Sequence, residues 1–337
     1  MKKNYTFFIV LFFMITTSSV FAQEGKLDRL ADEMLFLADQ FASPAAEGAA
    51  YEAGAGWFTS ATALKPWKVD ISFKGNALFV PSNKQTSTIS NRDFQNVHSN
   101  GGDAVISIIG EENAVVPTAL GGETSVRYGF EFAGKNYEFN AFQGANKTVL
   151  AYPFIQANVG LPYETEFAVR FLPQLTVDGV SFSTYGAAVK HNFSQYFKFN
   201  DEDDFQAAAI IAYNKFDVEY EFGPVTLDAG DENLGSLDLV DVNSDLWMAS
   251  VLGSKRYGDT FEVFGALGAT NSNFTYAMGG NGTLLPLINK RLDDLDKDNT
   301  QFKADVGFNL YFNRFKVSTM ATVGKFFHIN AGLHFRI

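Results

Sequence analysis

The chain has 337 residues, no cysteine, 35 phenylalanines and a formal net charge of −12. The absence of cysteine excludes disulfide scaffolds, thiolate metal sites, iron–sulfur clusters and cysteine nucleophiles, and the acidic balance argues against nucleic-acid binding, which requires a basic face. Aromatic residues make up 15% of the chain although its mean hydropathy is near zero, so the apolar residues must be interleaved with polar ones.

Residues 1–22 have the pattern of a secretory signal peptide. Two lysines follow the first methionine, an apolar stretch comes next, and Val20 and Ala22 occupy the −3 and −1 positions of a cleavage site before Gln23. The pattern predicts export from the cytoplasm and removal of this segment. The rest of the chain has no uninterrupted apolar run of about 18 residues, so we expect no transmembrane helix in it.

Residues 26–42 predict an amphipathic helix, because apolar residues recur there at spacings of three and four. Ser43 and Pro44 are expected to end this helix, and an Ala/Gly-rich tract follows as far as residue 63. Side chains this small cannot build a core of their own. Three interpretations of the N-terminal segment 23–63 stay open: an ordinary packing element, a plug inside a barrel, or a periplasmic contact.

From Trp67 onward the period of the apolar residues changes from 3.6 to 2, which is typical of strands with one apolar and one polar face. We predict an all-β fold in which residues 64–337 form a transmembrane antiparallel β-barrel of about 12 strands, with 10 to 14 possible. The predicted strands are 67–80, 126–133, 136–142, 147–158, 163–172, 179–191, 204–222, 241–254, 260–277, 301–312, 315–323 and 326–337.

Alternation also fits a soluble barrel, whose apolar face points inward, whereas the apolar face of a transmembrane barrel meets lipid. Two features favour the membrane. The strands are long enough for a bilayer, which needs about 9–11 residues per strand, and the polar face carries charges of both signs on strand after strand. We therefore expect the charged residues of this face to line a wet lumen. The candidates are Lys68, Asp70, Lys74, Glu164, Glu166, Arg170, Asp217, Glu219, Glu221, Lys303, Asp305, His328, His334 and Arg336.

The last strand carries Phe335 near its end and resembles the C-terminal signal that the barrel-insertion machinery of the outer membrane recognises, with Ile337 in place of the usual Phe or Trp. Counting strands back from it places short links such as Asn313-Arg314 in the periplasm and the long segments 81–125, 223–240 and 278–300 outside, the usual asymmetry. The long acidic link 192–203 falls on the periplasmic side and departs from this rule. We therefore predict the bacterial outer membrane as the location, with the lipid bilayer and the insertion machinery as partners.

Residues 56–61, 156–173 and 186–192, together with the cleavage site before Gln23, resemble an uncharacterised family, a domain of unknown function, of Bacteroidota proteins thought to be outer-membrane β-barrels. The chain is also distantly similar to long-chain fatty-acid transporters of the outer membrane, which have fourteen strands and an N-terminal plug. The second resemblance implies a plug role for residues 23–63. Neither resemblance brings established site residues.

No motif indicates an enzyme, since neither G-x-S-x-G nor H-E-x-x-H is present. Residues 294–299 place oxygen ligands at alternating positions but lack the glycine and glutamate of a calcium loop, so we expect no metal and no cofactor. The charged polar face favours a channel or transporter for small solutes, hydrophobic ones among them. The alternative is a structural or interaction barrel that anchors partners at the outer membrane, and a barrel-borne hydrolase is a remote third.

Overall fold

The computed structural model describes residues 5–98, 103–132, 134–177, 179–197, 205–229, 232–282, 285–293 and 297–337. The helices in these ranges are α1 (Tyr5–Ala53), α2 (Asn91–Asn96) and α3 (Leu285–Asp293). The strands are β1 (Val69–Phe79), β2 (Thr86–Ser90), β3 (Ile106–Ile108), β4 (Asn113–Pro117), β5 (Arg127–Phe132), β6 (Lys135–Asn140), β7 (Val149–Leu161), β8 (Thr165–Val177), β9 (Val180–Asn192), β10 (Phe205–Ala229), β11 (Glu232–Tyr257), β12 (Phe261–Gly282), β13 (Lys297–Phe312), β14 (Phe315–Gly324) and β15 (Phe327–Arg336).

Ten of the described strands close into one antiparallel barrel. The order around the wall is β1, β7, β8, β9, β10, β11, β12, β13, β14 and β15, and β15 then pairs with β1. At this seam Asp70 lies opposite Arg336 and Phe79 lies opposite Phe327. Closure satisfies the backbone groups of the wall, which a bilayer demands because lipid offers them no hydrogen-bond partner.

Two of the strands predicted from the sequence lie outside the barrel. The predicted strands 126–133 and 136–142 form as β5 and β6, with 6 residues each, and they pair with each other. A strand needs about 9–11 residues to cross a bilayer, so these two are too short. They belong to the connection 80–148 between β1 and β7, together with β2, α2, β3 and β4. Alternation therefore identified strands correctly but overestimated how many of them join the wall.

The two ends of the barrel differ in the length of their connections. At one end, the short-turn end, Asn313 and Arg314 join β13 to β14, and residues 258–260 join β11 to β12. At the other end, the long-loop end, lie the two longest connections, residues 80–148 and the segment with α3, beside two-residue turns such as that between β14 and β15. One link departs from this asymmetry, since 12 residues separate β9 from β10 at the short-turn end. The segment 223–240, which we expected to be a loop at this end, instead continues β10 and β11 as a long hairpin.

A band of apolar side chains covers the outer face of the wall. On β12 the outward residues include Val263 and Leu267, and Leu267 is 71% exposed. Aromatic pairs border the band at both ends. At the short-turn end Phe315 and Phe335 have ring centroids 5.3 Å apart, and at the long-loop end Tyr213 and Trp247 are 5.1 Å apart. An apolar band between two aromatic girdles is the surface that a transmembrane barrel presents to lipid.

Beyond the girdle at the long-loop end, the polarity of the wall reverses. On β12 the outward positions Asn271, Asn273 and Thr275 are polar, while Phe274 and Tyr276 are buried inside. The same reversal occurs on β10 and β11, which pair with each other and with β12 along this stretch. This part of the wall has the surface of a water-soluble barrel, so it rises above the lipid.

The reversal displaces three residues that we expected in the lumen. Phe216 is buried inside the barrel at 1% exposure, and because side chains alternate along β10, Asp217, Glu219 and Glu221 lie on the outer face. There burial, followed by the nearby carboxylates of Asp217 and Glu219, raises the pKa of Asp241. The expectation failed because alternation separates two faces without saying which one is inside.

Helix α1 also departs from its predicted end. It continues through Pro44 to Ala53, although a proline inside a helix costs about 3 kcal/mol through a lost hydrogen bond and a steric clash. Alanines on both sides of Pro44 are buried against the wall, Ala42 and Ala46 among them. Burial of this helix face compensates for the proline. Residues 1–4 and the side chains of residues 5–24 lie outside what the structure describes. The signal peptide therefore stays a prediction.

Leu267 and Thr275 lie on the same outer face of β12, one inside the apolar band and one beyond it. We expect L267R to destabilise the barrel by about 2–4 kcal/mol, the cost of a charge near the bilayer midplane, whereas T275R stays in water and changes stability little. Unfolding in lipid vesicles, followed by heat-dependent gel mobility, measures both variants. Equal effects of the two substitutions would contradict the position of the band.

Candidate functional site

The interior of the barrel is occupied by the chain's own N-terminal segment. We call residues 25–53 the plug helix, residues 54–64 the strap, and the two together the plug. The plug helix enters at the long-loop end, where Asp28 pairs with Arg291 of α3 at 3.3 Å, and it ends inside the barrel. The strap continues from there to the short-turn end, where β1 begins. The N-terminal segment thus runs through the barrel from one end to the other.

The part of the plug helix nearest the long-loop end is held by apolar packing. Leu30, Met34 and Phe41 are buried in the same hydrophobic cluster as inward-facing residues of β10, β11 and β12. Phe41 packs against Phe142 and Phe222 with ring centroids 5.1 and 6.0 Å apart. The reversed polarity of the wall at the long-loop end therefore has a direct cause, since the wall must offer apolar residues to an apolar helix.

A buried carboxylate fixes the connection 80–148 to the plug helix. Glu33 is fully buried, lies 2.7 Å from His98 Nε2 and accepts hydrogen bonds from the backbone N–H groups of Val105 and Ile106. Farther along the helix, Phe36 packs edge-on against Phe94 of α2 at 5.8 Å. The connection thus covers the plug helix at the long-loop end.

The C-terminal end of the plug helix is held by cations of the wall. Arg170 donates from Nη1 to Ala53 O at 3.0 Å and from Nη2 to Ala55 O at 2.8 Å, and Lys303 Nζ donates to Gly54 O at 3.0 Å. The last carbonyls of a helix lack intrahelical donors and carry the negative end of the helix dipole. Lumen cations supply both the missing hydrogen-bond donors and a positive charge at the negative end of the dipole.

The strap is held in the same way. Lys74 Nζ donates to Gly56 O at 2.6 Å, and Lys190 Nζ donates to Ser60 O at 3.0 Å. Its other donors include an amide and a further ammonium: Asn309 Nδ2 donates to Thr59 O at 2.6 Å, and Lys316 Nζ donates to Thr59 Oγ1 at 2.8 Å. An irregular segment inside a barrel is tolerated because its backbone groups find protein partners.

Arg170 makes the most extensive of these contacts. Its guanidinium carbon lies 4.0 Å from the ring centroid of Trp57 and 4.1 Å from that of Phe154, so the planar group is sandwiched between one ring of the strap and one of β7. Gln156 Oε1 accepts a further hydrogen bond from Nη2 at 3.2 Å. A lysine could not reproduce this arrangement, because only a guanidinium stacks and donates in a fork.

Carboxylates pair with the cations that the plug leaves partly uncompensated. Asp70 lies 3.6 Å from Lys316 Nζ, 2.8 Å from His334 Nδ1 and 3.3 Å from Arg336 Nε. Lys303 pairs with Asp305 at 3.3 Å. Charged groups this deeply buried are stable only when they are paired or hydrogen-bonded, and most of them here meet that condition.

Other carboxylates bind the strap or its cations. Glu166 lies 3.2 Å from Lys190 Nζ and accepts from Leu64 N at 3.2 Å. Glu262 accepts a hydrogen bond from Ser60 Oγ at 2.6 Å and another from the Tyr311 hydroxyl. The strap is therefore fixed by acceptors as well as donors.

The structure brings together only part of the predicted lumen set. Lys68 and Glu164 are exposed at the short-turn end, Arg336 is half-buried there, and Asp217, Glu219 and Glu221 lie on the outer face. The predicted residues buried in the lumen are Asp70, Lys74, Glu166, Arg170, Lys303, Asp305, His328 and His334. Sequence reasoning missed Lys190, Glu262 and Lys316, which the same alternation along β9, β12 and β14 indicates.

A cavity of about 540 Å³ lies between the strap and the short-turn end, and we call it the vestibule. Its walls come from the strap, from β1 and β15 at the seam, and from the turn that joins β13 to β14. The basic side chains that line it are Lys65, Lys68, Lys74, Lys190, Arg256, Arg314, Lys316 and Arg336, and the acidic ones are Asp70, Glu166 and Glu262.

Comparison with known proteins assigns the sequence to a family. A family model described as a family of unknown function, DUF6588, matches residues 1–337. The chain belongs to this family. A search of curated proteins finds no match. The resemblance to an uncharacterised family is thus confirmed at this level, and the similarity to fatty-acid transporters stays a prediction.

Several solved outer-membrane proteins resemble the chain at 9% identity. Ail of Yersinia pestis has a TM-score of 0.28 over 81% of this chain and 99% of its own. The translocator domain of the autotransporter NalP from Neisseria meningitidis has 0.28 over 86% and 91%, and the outer membrane protease OmpT from Escherichia coli has 0.30 over 80% and 96%. The closed barrel rests on the strand pairing of this chain itself.

Among the described residues, no helix is both long and apolar enough to cross a membrane. In the same part of the chain, no three His, Asp or Glu residues are grouped so that they could hold a metal ion. The acidic loop 294–299 lies partly outside the described residues.

The position of the plug helix can be tested by crosslinking. A Cβ built on Gly54 would lie 2.7 Å from Thr270 Cγ2 of β12, whereas Gly25 has nothing within 4 Å. Because the chain has no native cysteine, we expect mild oxidation to link the pair in G54C/T270C and not in the control G25C/T270C. Mass spectrometry of the linked peptides measures the yield. Equal yields in the two variants would show that the helix end lies elsewhere.

The contribution of Arg170 can be measured against an exposed arginine. We expect R170A to destabilise the protein by about 2–4 kcal/mol, because the buried carbonyl of Ala55 loses its donor and that of Ala53 keeps only the one from Trp57 Nε1. Arg127 pairs with Glu138 at 2.9 Å with both side chains more than half exposed, so R127A is expected to cost less than about 1 kcal/mol. Denaturant unfolding in detergent measures both, and comparable losses would mean that Arg170 does not anchor the plug.

Proposed function

We propose that the protein resides in the bacterial outer membrane with its short-turn end in the periplasm. The apolar band between two aromatic girdles supports a transmembrane position. The two longest connections, residues 80–148 and the segment that carries α3, lie at the same end of the barrel and support the orientation. The predicted signal peptide supports export. In this orientation the C-terminal strand β15 is available to the insertion machinery, and the plug helix starts at the cell surface.

Within that setting, the protein acts as a sealed barrel that binds partners at its two ends, and not as an open pore. One observation carries this proposal: the plug fills the barrel along its length. Leu30 and Phe41 complete an apolar core at the long-loop end, and the strap hydrogen-bonds to the lumen at the other end. A permeant has no continuous path past such packing. Binding, rather than catalysis, is the activity this arrangement supports.

A second candidate is a transporter whose gate is the plug. The observation that favours it is the polar character of the strap contacts, since water can replace hydrogen bonds such as that of Lys190 to Ser60 O more readily than it can replace apolar packing. A strap that leaves the lumen would expose a charged passage suited to small polar solutes. In this reading the vestibule is the entrance on the periplasmic side.

One variant separates the two candidates. For wild type, we expect recordings in planar bilayers without steady openings, because the plug blocks the lumen. G54C/T270C allows the same protein to be recorded reduced and then oxidised, with T270C alone as control. Silence in both states supports the sealed barrel.

Two results would contradict the sealed barrel. Steady openings of the wild type would overturn the sealed barrel. Solute uptake into liposomes that occurs in the reduced variant and stops after oxidation would favour the gated transporter, because the disulfide holds the plug in place.

A further inference from the structure

The vestibule concentrates positive charge in an acidic protein. Eight basic side chains line it against three acidic ones, while the whole chain has a formal net charge of −12. A cleft lined by one sign of charge and surrounded by low-dielectric walls focuses the field and attracts ions of the opposite sign. The distribution therefore calls for an explanation beyond the general surface charge.

Holding the strap explains only part of this charge. The three acidic groups of the vestibule already have cationic or hydrogen-bonded partners: Asp70 pairs with Lys316 and Arg336, Glu166 pairs with Lys190, and Glu262 accepts from Ser60 Oγ. They leave other cations uncompensated.

Lys74 lies deep in the vestibule. It is 1% exposed, and its one hydrogen-bond acceptor among the described residues is Gly56 O. Its amino nitrogen has further N–H donors, and these have no protein acceptor there. A buried polar group with unused donors is costly unless something accepts from it.

Lys68 and Arg314 are uncompensated at the mouth. Both line the vestibule and are exposed, and neither side chain forms an ion pair or a hydrogen bond within the described part of the chain. They are not needed to hold the strap. The vestibule thus has one amino group with unused donors at its depth and two uncompensated cations at its opening.

We infer that the vestibule is a binding site for a small anion that carries two or more carboxylate or phosphate groups. Lys74 binds one group at depth, and Lys68 and Arg314 bind another at the mouth. A volume of about 540 Å³ accommodates a molecule of this class, since small-molecule pockets begin at about 300 Å³. The inference goes beyond the sealed barrel and does not require the plug to be closed. A free anion and the two-phosphate headgroup of cardiolipin share this chemistry.

The test is calorimetric titration of the full-length protein in non-ionic detergent. The probes are citrate and pyrophosphate, with glycerol as the neutral control and spermidine as the cationic one. The variant K68Q/R314Q removes the mouth cations, and R92Q/K290Q makes the same two changes at exposed positions of α2 and α3. We expect citrate to bind, more weakly at high ionic strength, with about tenfold lower affinity in K68Q/R314Q and unchanged affinity in R92Q/K290Q.

A second arm identifies the source of the anion. Nanodiscs of phosphatidylcholine with and without cardiolipin, whose headgroup has two phosphates, are analysed for lipid retained by each variant. Retention of cardiolipin that falls in K68Q/R314Q, without citrate binding, assigns the site to a headgroup. The inference is overturned if neither citrate, pyrophosphate nor cardiolipin binding depends on Lys68 and Arg314. Conductance is recorded separately, so openings of the wild type would refute the sealed barrel and leave this result standing.

Discussion

The pairing of lumen cations with the backbone carbonyls of the plug is the interaction on which the rest of the structure depends. A helix cannot end inside a barrel unless donors reach its last carbonyls, and buried lysines and arginines are costly unless acceptors reach them. Arg170 and Lys303 meet both requirements at once. Neither the plug nor the lumen would be stable in this form without the other.

The residues of the plug helix and those of the facing wall change in size and polarity together along the barrel axis. Large apolar residues such as Leu30 and Phe41 occupy the upper part of the helix, where the wall faces it with Phe222 and Val240. Below Ala42 the helix becomes rich in alanine, with Glu47, Tyr51 and Glu52 as its larger side chains, and the wall carries charged and amide side chains. The small residues leave room for those longer side chains: a Cβ on Gly56 would come 2.9 Å from Asn330 Nδ2. The Ala/Gly-rich tract is thus matched to a crowded polar lumen.

Much of the barrel follows from the sequence, because a period of two is a local property that each strand carries by itself. Three features do not follow. Alternation cannot say which face is inside, so Asp217 was placed in the lumen although Phe216 occupies it. It cannot say which sheet a short strand joins, so β5 and β6 were counted in the wall. Nor can local signals foresee tertiary burial, which carries α1 through Pro44.

The candidate site was predictable by residue type but not by role. The pattern identified Lys74, Arg170 and Lys303 as lumen cations, and a charged lumen favours a channel when it is read alone. Their acceptors, the carbonyls of Ala53, Ala55, Gly54 and Gly56, are main-chain groups with no sequence signature. The function inferred from charge therefore changes once those acceptors are known.

The distribution of the donors around the wall decides how firmly the plug is held. Lys74 lies on β1, Arg170 on β8, Lys190 on β9, Lys303 on β13 and Lys316 on β14. No single hairpin supplies enough of them to bind the strap, so the strap contacts form fully only when the wall is closed at the β1–β15 seam. The seam in turn places Lys74 opposite Gly332 and next to the strap. Closure of the barrel and retention of the plug are therefore one cooperative event, and loosening either one weakens the other.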